Sequence, residues 1–267
     1  MTSSALQRFA EDYAAHRRAE GRGHAGDELL ALPHIRSGPL ARQWGVRART
    51  FDAFMARVVR PEAKALGRTL RLLDLGAGNG WLSHRVALEG HCATALDIRG
   101  DEVDGLGAAQ PFVQRTGGRM RTAVAPFEAI PAEAGSFDIA VFNASLHYAT
   151  DLAAVLAEAA RVVRPGGRLA ILDSPVYRRE ADGLAMVAEK TADAPRRFGE
   201  RATSLMALPF IEFLTRERLA AASAPLGLQW RRSRVLYPLW YELRPLMAKL
   251  RAARTPSRFD LWTCVKP

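Results

Sequence analysis

The sequence is poor in cysteine, in lysine and in long apolar runs. Its 267 residues include only Cys92, Cys264 and four lysines. Two cysteines cannot form a zinc cage or a disulfide framework, and no metal site is predicted. No apolar run approaches the ~18 residues of a membrane-spanning helix. The first twenty residues carry acids and arginines, which a secretory signal is not expected to do. These absences predict a reduced, cytoplasmic protein.

Positive charge is concentrated at the two ends of the chain. Residues 1–69 hold 12 Lys and Arg against 7 Asp and Glu, and residues 227–267 hold 9 against 2. The segment between them is slightly acidic. Basic flanks favour an anionic partner or substrate. A composition rich in arginine and alanine produces the same excess without one, so nucleic acid is not an expected partner.

Short apolar runs alternate with amphipathic segments in the middle of the chain. The predicted strands are 70–75, 92–97, 120–125, 137–143, 167–173, 228–236 and 259–265, and the predicted helices between them are 79–89, 151–163 and 216–224. Strands that alternate with helices of this length are typical of right-handed βαβ units. The pattern predicts a doubly wound α/β fold with a mostly parallel sheet.

Three segments lie outside this rhythm. Residues 1–69 are predicted to form an N-terminal helical cap, with helices at 4–20 and 46–59, and residues 70–267 form the main domain. Inserts are predicted near 178–214 and near 237–256. The second insert is apolar at helical spacing and rich in arginine. It is expected to cap the site or pack on the N-terminal helices, rather than to lie on a membrane surface, and Pro245 predicts a kink or two shorter helices.

The segment D-L-G-A-G-N-G-W at 74–81 is the most informative part of the sequence. An apolar strand ends in Gly76, Gly78 and Gly80, and a helix is predicted directly behind them. Glycines permit a tight turn, let a ligand approach the backbone, and leave amides free to face it. A dinucleotide fingerprint requires glycine at position 81, where Trp81 stands. With Asp74 upstream, the spacing instead resembles class I S-adenosylmethionine-dependent methyltransferases.

Four further features resemble the same family. Asp97 ends the second predicted strand, where a carboxylate can accept both hydroxyls of a ribose. Residues 137–143 resemble the family's fourth strand, 146–148 its following turn, and V-V-R-P-G-G-R-L at 162–169 the turn into its fifth strand. The resemblance is strongest to the type 11 and ubiquinone/menaquinone-biosynthesis group. It implies a seven-stranded Rossmann-like sheet with an antiparallel edge and S-adenosyl-L-methionine as the cofactor.

The resemblance also implies which residues bind the cofactor. These are Asp74, Gly76, Ala77, Gly78, Asn79, Gly80, Asp97, Ile98, Phe127 and Asn143. Many family members carry an Asp-Ala pair after the third strand, where the aspartate meets the adenine. Here Pro126 and Phe127 occupy those positions. The adenine is therefore expected to be held by backbone groups near Phe127, with Glu128 facing solvent.

The catalytic residues are less evident than the cofactor loop. Methyl transfer mainly requires alignment in a dry pocket, and a base only where the acceptor loses a proton. His147 follows the fourth strand at the edge where ligands bind, and its ordinary pKa suits proton abstraction. It could equally pack beside the cofactor. Tyr148 is a second candidate, and Asp173 after the fifth strand is a weaker one.

The leading functional prediction is a methyltransferase that acts on a small-molecule acceptor, hydrophobic or anionic. An RNA or protein methyltransferase that uses the basic flanks is the first alternative. Against it, Asn143-Ala144-Ser145-Leu146 lacks the Asn-Pro-Pro-aromatic motif of enzymes that methylate planar nitrogens. A cofactor-binding regulator without catalytic activity is the second alternative. The acceptor and the oligomeric state are not indicated by the sequence.

Overall fold

The computed structural model describes residues 3–267, with side chains from residue 6 onward. Within these residues the strands are β1 Arg71–Leu75, β2 Cys92–Asp97, β3 Met120–Val124, β4 Phe137–Asn143, β5 Val163–Leu172, β6 Val176–Tyr177, β7 Leu214–Thr215, β8 Arg231–Ser233 and β9 Leu261–Val265. The helices are α1 Ser3–Ala19, α2 Gly26–Ala31, α3 Ala41–Phe54, α4 Arg60–Leu66, α5 Trp81–Leu88, α6 Gln110–Arg115, α7 Leu152–Val162, α8 Glu180–Phe198, α9 Ala202–Leu205, α10 Arg216–Ser223, α11 Leu239–Glu242 and α12 Arg244–Leu250. None of them is long and apolar enough to cross a bilayer.

Seven strands form one mixed sheet in the order β3-β2-β1-β4-β5-β9-β8. Strands β1 to β5 pair in parallel, β9 is antiparallel to β5, and β8 is antiparallel to β9. This confirms the predicted doubly wound sheet with its antiparallel edge. The strand order reverses between β1 and β4, and in such sheets ligands bind in the crevice at the carboxyl ends of the strands there.

Two apolar clusters cover the two faces of the sheet. One contains residues of α3 and α5, such as Phe54 and Leu82, and the other contains residues of α7, such as Val155 and Leu156. Six of the seven residues of β4 are buried, because both of its faces are covered by helices. The consequence is a run of consecutive apolar residues at 139–142, instead of an alternation of apolar and polar ones.

The predicted boundaries of the elements agree best with the observed ones in the centre of the sheet. Strands β2 and β4 begin and end where the sequence predicts. Strand β5 begins at Val163 instead of 167, with an irregularity in its pairing to β4 between Phe137 and Ile139. Helix α3 begins at 41 instead of 46 and continues through a π-helical turn, Met55–Val59, into α4. Helix α6 was not predicted, and β8 is much shorter than the predicted strand.

The two predicted inserts take different forms. Residues 178–214 are mainly α8 and α9, and the short parallel pairing of β6 with β7 joins the two ends of this segment. Residues 237–256 form two short helices with Pro245 at the start of the second, as predicted. Tyr241 packs in the core, but Leu239 and Leu250 are 73% and 72% exposed. The expected packing on the N-terminal helices therefore holds for one edge of this segment only, because such short helices bring few side chains to the core.

Candidate functional site

The three loop glycines are required for different reasons. All three have a positive φ, which favours glycine. A Cβ on Gly76 would lie 2.4 Å from the Cβ of Ser145, and one on Gly80 would lie 2.6 Å from the Cε of Met120. Around Gly78 the nearest atom is the carbonyl oxygen of Asp104, at 3.2 Å. Gly76 and Gly80 thus allow close packing of the protein itself, whereas Gly78 has the most room around it.

Backbone hydrogen bonds hold the loop against the end of β2. The amides of Gly76 and Ala77 donate to the carbonyl oxygen of Leu96 at 2.8 and 3.0 Å. The amide of Gly78 donates to the Asp97 carboxylate at 2.8 Å. These three amides are therefore not free donors for a ligand, contrary to the expectation from the sequence.

Asp97 connects the loop to the predicted ribose position. One carboxylate oxygen accepts from Gly78 and the other accepts from the amide of Arg99 at 2.9 Å. Burial raises the pKa of this carboxyl, while the charge of Arg99 and the two hydrogen bonds oppose the shift. A carboxylate has about four acceptor positions. Asp97 therefore retains one on each oxygen, which suits a pair of adjacent hydroxyls.

Asp74 lies behind the loop rather than in front of it. Its carboxylate is fully buried and accepts a hydrogen bond from Ser83 Oγ at 3.1 Å. Burial raises its pKa to about 7. The residue joins β1 to helix α5, and its predicted role at the cofactor stays a prediction.

A cleft of about 1020 Å³ opens in front of the loop, at the carboxyl ends of β1, β2 and β4. The sequence-predicted residues that line it are Gly76, Ala77, Gly78, Asn79, Asp97, Ile98, Phe127, Asn143 and Tyr148. Asp74, Gly80 and His147 do not line it. The structure thus brings most of the predicted cofactor residues to one surface.

Two further side chains allow the fit of a nucleoside cofactor to be tested. Phe127 packs against Gly76 and meets Phe142 edge-to-face at 6.0 Å, so its ring is a fixed apolar wall of the cleft. Asn143 is 9% exposed, and its Oδ1 accepts no hydrogen bond from any described residue. A diol acceptor, an apolar wall and an unpartnered amide oxygen match the ribose, the base and the ammonium group of S-adenosylmethionine.

The N-terminal segment covers the cleft with residues that the sequence analysis did not name. They are Phe9, Tyr13, Arg17, Arg22, Trp44 and Arg47. The hydroxyl of Tyr13 lies 2.9 Å from that of Tyr148, and Arg17 donates to Asp104 at 2.9 Å. The only signals for them in the sequence were aromatic residues at helical spacing in α1 and the basic excess of this flank.

The two predicted catalytic residues are adjacent but differently placed. Tyr148 lines the cleft, and burial, together with Tyr13, raises its pKa well above the usual value. The His147 ring lies beside that of Tyr148, with 4.2 Å between centroids. Burial lowers the pKa of His147 to about 3, and the charges of Lys190 and Arg47 act in the same direction. Both assignments stay predictions. Among residues 3–267, no cluster of three or more potential metal ligands is present.

Comparison with known proteins finds relatives of the central part of the chain. Residues 73–171 match the family model described as a methyltransferase domain. Over 107 residues the chain is 34% identical to the ubiquinone/menaquinone biosynthesis C-methyltransferase UbiE of Rhizobium johnstonii. The aligned region covers 39% of this chain and 41% of that protein. Over 108 residues it is 33% identical to a malonyl-[acyl-carrier protein] O-methyltransferase of Erwinia pyrifoliae, with 39% and 37% covered. The chain spans about two fifths of the length of these curated relatives.

Solved structures extend the likeness of fold to nearly the whole chain. Geranyl diphosphate C-methyltransferase from Streptomyces coelicolor A3(2) superposes with a TM-score of 0.58 at 14% identity, covering 97% of this chain and 98% of that one. The fold is that of the class I methyltransferases. More particularly, residues 73–171 match the model of a methyltransferase domain, and this match indicates S-adenosylmethionine as the cofactor.

Proposed function

We propose that this protein transfers a methyl group from S-adenosylmethionine to a small-molecule acceptor. The observation that carries the proposal is the arrangement of Asp97, whose carboxylate is held by the loop amide of Gly78 and faces a cleft with free acceptor positions. When bound, the cofactor supplies an electrophilic methyl group on a sulfonium. The chain itself has to bind, orient and exclude water.

Each of these tasks has residues available to it. Asp97 would accept the ribose hydroxyls, Phe127 would pack against the base, and Asn143 Oδ1 would accept from the ammonium group. Phe9 and Trp44 lie over the cleft and are 6% and 3% exposed, so they limit the access of water. Alignment in a covered cleft provides most of what a direct displacement from a sulfonium needs.

A small acceptor is favoured over RNA or a protein by two observations. The cleft is covered by α1, through the contact of Tyr13 with Tyr148. Many arginines of the basic flanks are also neutralised within the protein, for example Arg60 by Glu89 and Arg258 by Glu242. The positive charge left for a polyanion is therefore smaller than the composition indicates.

Fold alone does not decide the reaction. The solved structure of the [4+2]-cyclase SpnF superposes with a TM-score of 0.53 at 19% identity, covering 79% of this chain and 81% of that one. A protein with this fold is thus named for a reaction other than methyl transfer. The alternative of a cofactor-binding protein without methyl transfer has to be tested directly.

The test combines binding and transfer. In isothermal titration we expect S-adenosylmethionine to bind and NAD to give no heat. Asp97→Ala should weaken binding by about 1.5–3 kcal/mol, the range for hydrogen bonds to a charged group. Glu102→Ala, an exposed acid outside the cleft, should leave it unchanged. Methyl-labelled cofactor is then incubated with metabolite, lipid and RNA fractions of the source cell.

Each contrary result has a distinct meaning. Unchanged affinity in Asp97→Ala would remove the assignment of the cofactor cleft. Label recovered in RNA, with binding that falls steeply as salt rises, would favour the nucleic-acid alternative. Tight binding without label in any fraction would favour the regulator.

A further inference from the structure

A second cleft, of about 1030 Å³, opens beside the cofactor cleft. It lies between α3, the helices α11 and α12, and the carboxyl end of β5. Arg22 and Arg47 line both clefts, so the two spaces adjoin. The second cleft is also lined by Arg42 and Arg244, which the cofactor cleft does not include. Four arginines therefore surround one space.

The positive charge of this cleft is poorly compensated. Within residues 6–267, the guanidinium groups of Arg42 and Arg47 form neither an ion pair nor a hydrogen bond. Their guanidinium groups instead lie over indole rings, 4.7 Å from the centroid of Trp240 and 5.2 Å from that of Trp44. Burial also lowers the pKa of Arg47. Keeping an unpaired guanidinium partly buried costs free energy, and an anionic ligand would offset that cost.

Among the residues that the structure describes, the one carboxylate that lines the second cleft is that of Asp173, directly after β5. Its side chain is 5% exposed, its φ is +51°, and neither carboxylate oxygen has a donor from the described residues within 3.5 Å, although the nearby Thr50 hydroxyl acts to lower its pKa. The charged and titratable groups that face it are Arg47 from α3 and Tyr237 and Tyr241 from the α11 segment. Two unused acceptors are thus buried at the edge of the sheet where ligands bind.

The rest of the wall is aromatic. Trp240, Tyr241 and Phe259 line the cleft, and Arg244 lies over the Tyr241 ring at 3.6 Å while donating to the carbonyl of Ser257 at 2.7 Å. Guanidinium groups held against aromatic faces present their fork of donors in a fixed plane, which matches carboxylate and phosphate oxygens. The wall beside them is suited to an apolar ring.

We propose that the second cleft is the acceptor subsite of this protein and that it selects a molecule with a carboxylate or phosphate group beside an apolar ring, with an O–H or N–H group donated to Asp173. This inference rests on the proposed function, since it concerns the acceptor of that reaction. It also makes a claim about binding that needs no cofactor and no turnover.

The first test measures binding of three naphthalene probes by isothermal titration, without cofactor. 1-Naphthyl phosphate and 1-naphthoate should bind at least about tenfold more tightly than the neutral 1-naphthol, because only the anions meet the arginines. The phosphate and the carboxylate are compared to learn which anion the site prefers. Equal affinity for all three probes would overturn the proposal.

Arg42 provides the variant with the cleanest control, because it is exposed and lines only the second cleft. Arg42→Gln and Arg244→Gln should each weaken binding of the preferred anion by about fivefold or more. Arg49→Gln, an exposed arginine on the same helix that lines neither cleft, should not. Unchanged anion affinity in both cleft variants, with S-adenosylmethionine binding intact, would overturn this inference while leaving the proposed function standing.

Asp173→Asn separates a ligand-binding carboxylate from a structural one. Burial raises the pKa of Asp173 to about 6, although the charge of Arg47 opposes the shift. A carboxyl group with a raised pKa in the folded state stabilises the fold when it is protonated. This contribution to the free energy of unfolding is complete below the ordinary pKa near 4 and is lost as the pH rises through about 6. The variant should therefore have a Tm about 5 °C higher than the parent protein at pH 8 and nearly the same Tm at pH 4. A lower Tm at pH 8 would show that the carboxylate is needed by the fold and would overturn its assignment to the acceptor.

Discussion

Asp138 lies at the amino ends of the sheet's parallel strands (the amino edge), and Asp173 lies at their carboxyl ends (the carboxyl edge). Both side chains are buried. At the amino end of β4, the Asp138 carboxylate accepts hydrogen bonds from the guanidinium groups of Arg68 and Arg164 and from the amide of Arg71. Beyond the carboxyl end of β5, the Asp173 carboxylate has no donor from the described residues within 3.5 Å, and only the Thr50 hydroxyl lies near it. The same type of side chain, buried in both places, accepts hydrogen bonds from three residues at one edge and no short hydrogen bond at the other.

The difference extends beyond these two residues. At the amino edge, Glu62 forms ion pairs with Arg164 and Arg168, at 2.6 and 2.7 Å. At the carboxyl edge, Asn143 Oδ1 and His147 Nδ1 lack partners among the described residues. Buried polar groups are nearly always hydrogen-bonded in native proteins, and groups left unpartnered have often been kept for a ligand. The amino edge therefore serves stability, whereas the carboxyl edge retains unsatisfied groups that a ligand can use.

The largest effect is expected from a substitution at the carboxyl edge. Gly78→Val should abolish measurable binding of S-adenosylmethionine, because a side chain there meets the carbonyl of Asp104 and disturbs the amide that holds Asp97. Isothermal titration of the folded variant measures this, with circular dichroism as the check on folding.

The matched control is a glycine with the same backbone conformation and open surroundings. Gly117 has a φ of +56°, against +57° at Gly78, and a Cβ there would meet nothing within 4 Å. Gly117→Val should carry a similar backbone penalty of roughly 1–2 kcal/mol and still bind the cofactor normally. Near-normal affinity in Gly78→Val would show that the loop does not approach a ligand.

The next effect tests the amino edge. Burial acts to raise the pKa of Asp138, but its hydrogen bonds from Arg68, Arg71 and Arg164 outweigh burial and lower the pKa to about 2. A lowered carboxyl pKa adds stability that is present above the ordinary value near 4 and is lost as the pH falls toward about 2. Asp138→Asn should therefore reduce the free energy of unfolding at pH 7 by roughly 2 kcal/mol.

Urea unfolding at several pH values measures this contribution. The loss should be largest at neutral pH and should shrink as the pH falls from about 4 toward 2, where the parent carboxylate is protonated too. Asp52→Asn is the control, because Asp52 is exposed and its ion pair with His34 lies at the surface. Equal stability of Asp138→Asn and the parent protein at pH 7 would remove the contrast between the two edges.

The sequence was informative where a feature depends on neighbours along the chain. Strands β2 and β4 were predicted with their correct boundaries because each is a short, mostly apolar run that ends in a polar residue, Asp97 or Asn143. The loop was legible because three glycines stand at alternate positions between an apolar strand and a helix. Both signals lie within a few adjacent residues, so the sequence alone displays them.

The covered cleft could not be predicted, because it depends on contacts between distant residues. Tyr13 meets Tyr148 across 135 positions of the chain, and nothing in the sequence around either residue specifies that pairing. Similarly, the position of Asp173 after a strand was visible, but its lack of partners depends on which side chains α3 and α11 direct toward it. Apolar spacing predicted helices near 237–256, yet spacing does not reveal what covers an apolar face, and much of this one is exposed.

The smallest effect is expected at His147, the residue for which position in the sequence suggested a general base. A pKa near 3 means that the imidazole is neutral at every pH where the enzyme would be assayed, and a base so weak takes a proton poorly. The side chain also does not line the cofactor cleft. We therefore expect His147→Asn to change kcat by much less than the ~100-fold that removal of a general base costs, with the same pH profile between pH 5 and 8 in both proteins. A change confined to KM would indicate that the ring positions Tyr148, with which it is in contact.

A fall in kcat of about 100-fold with unchanged cofactor affinity would instead establish His147 as the proton acceptor.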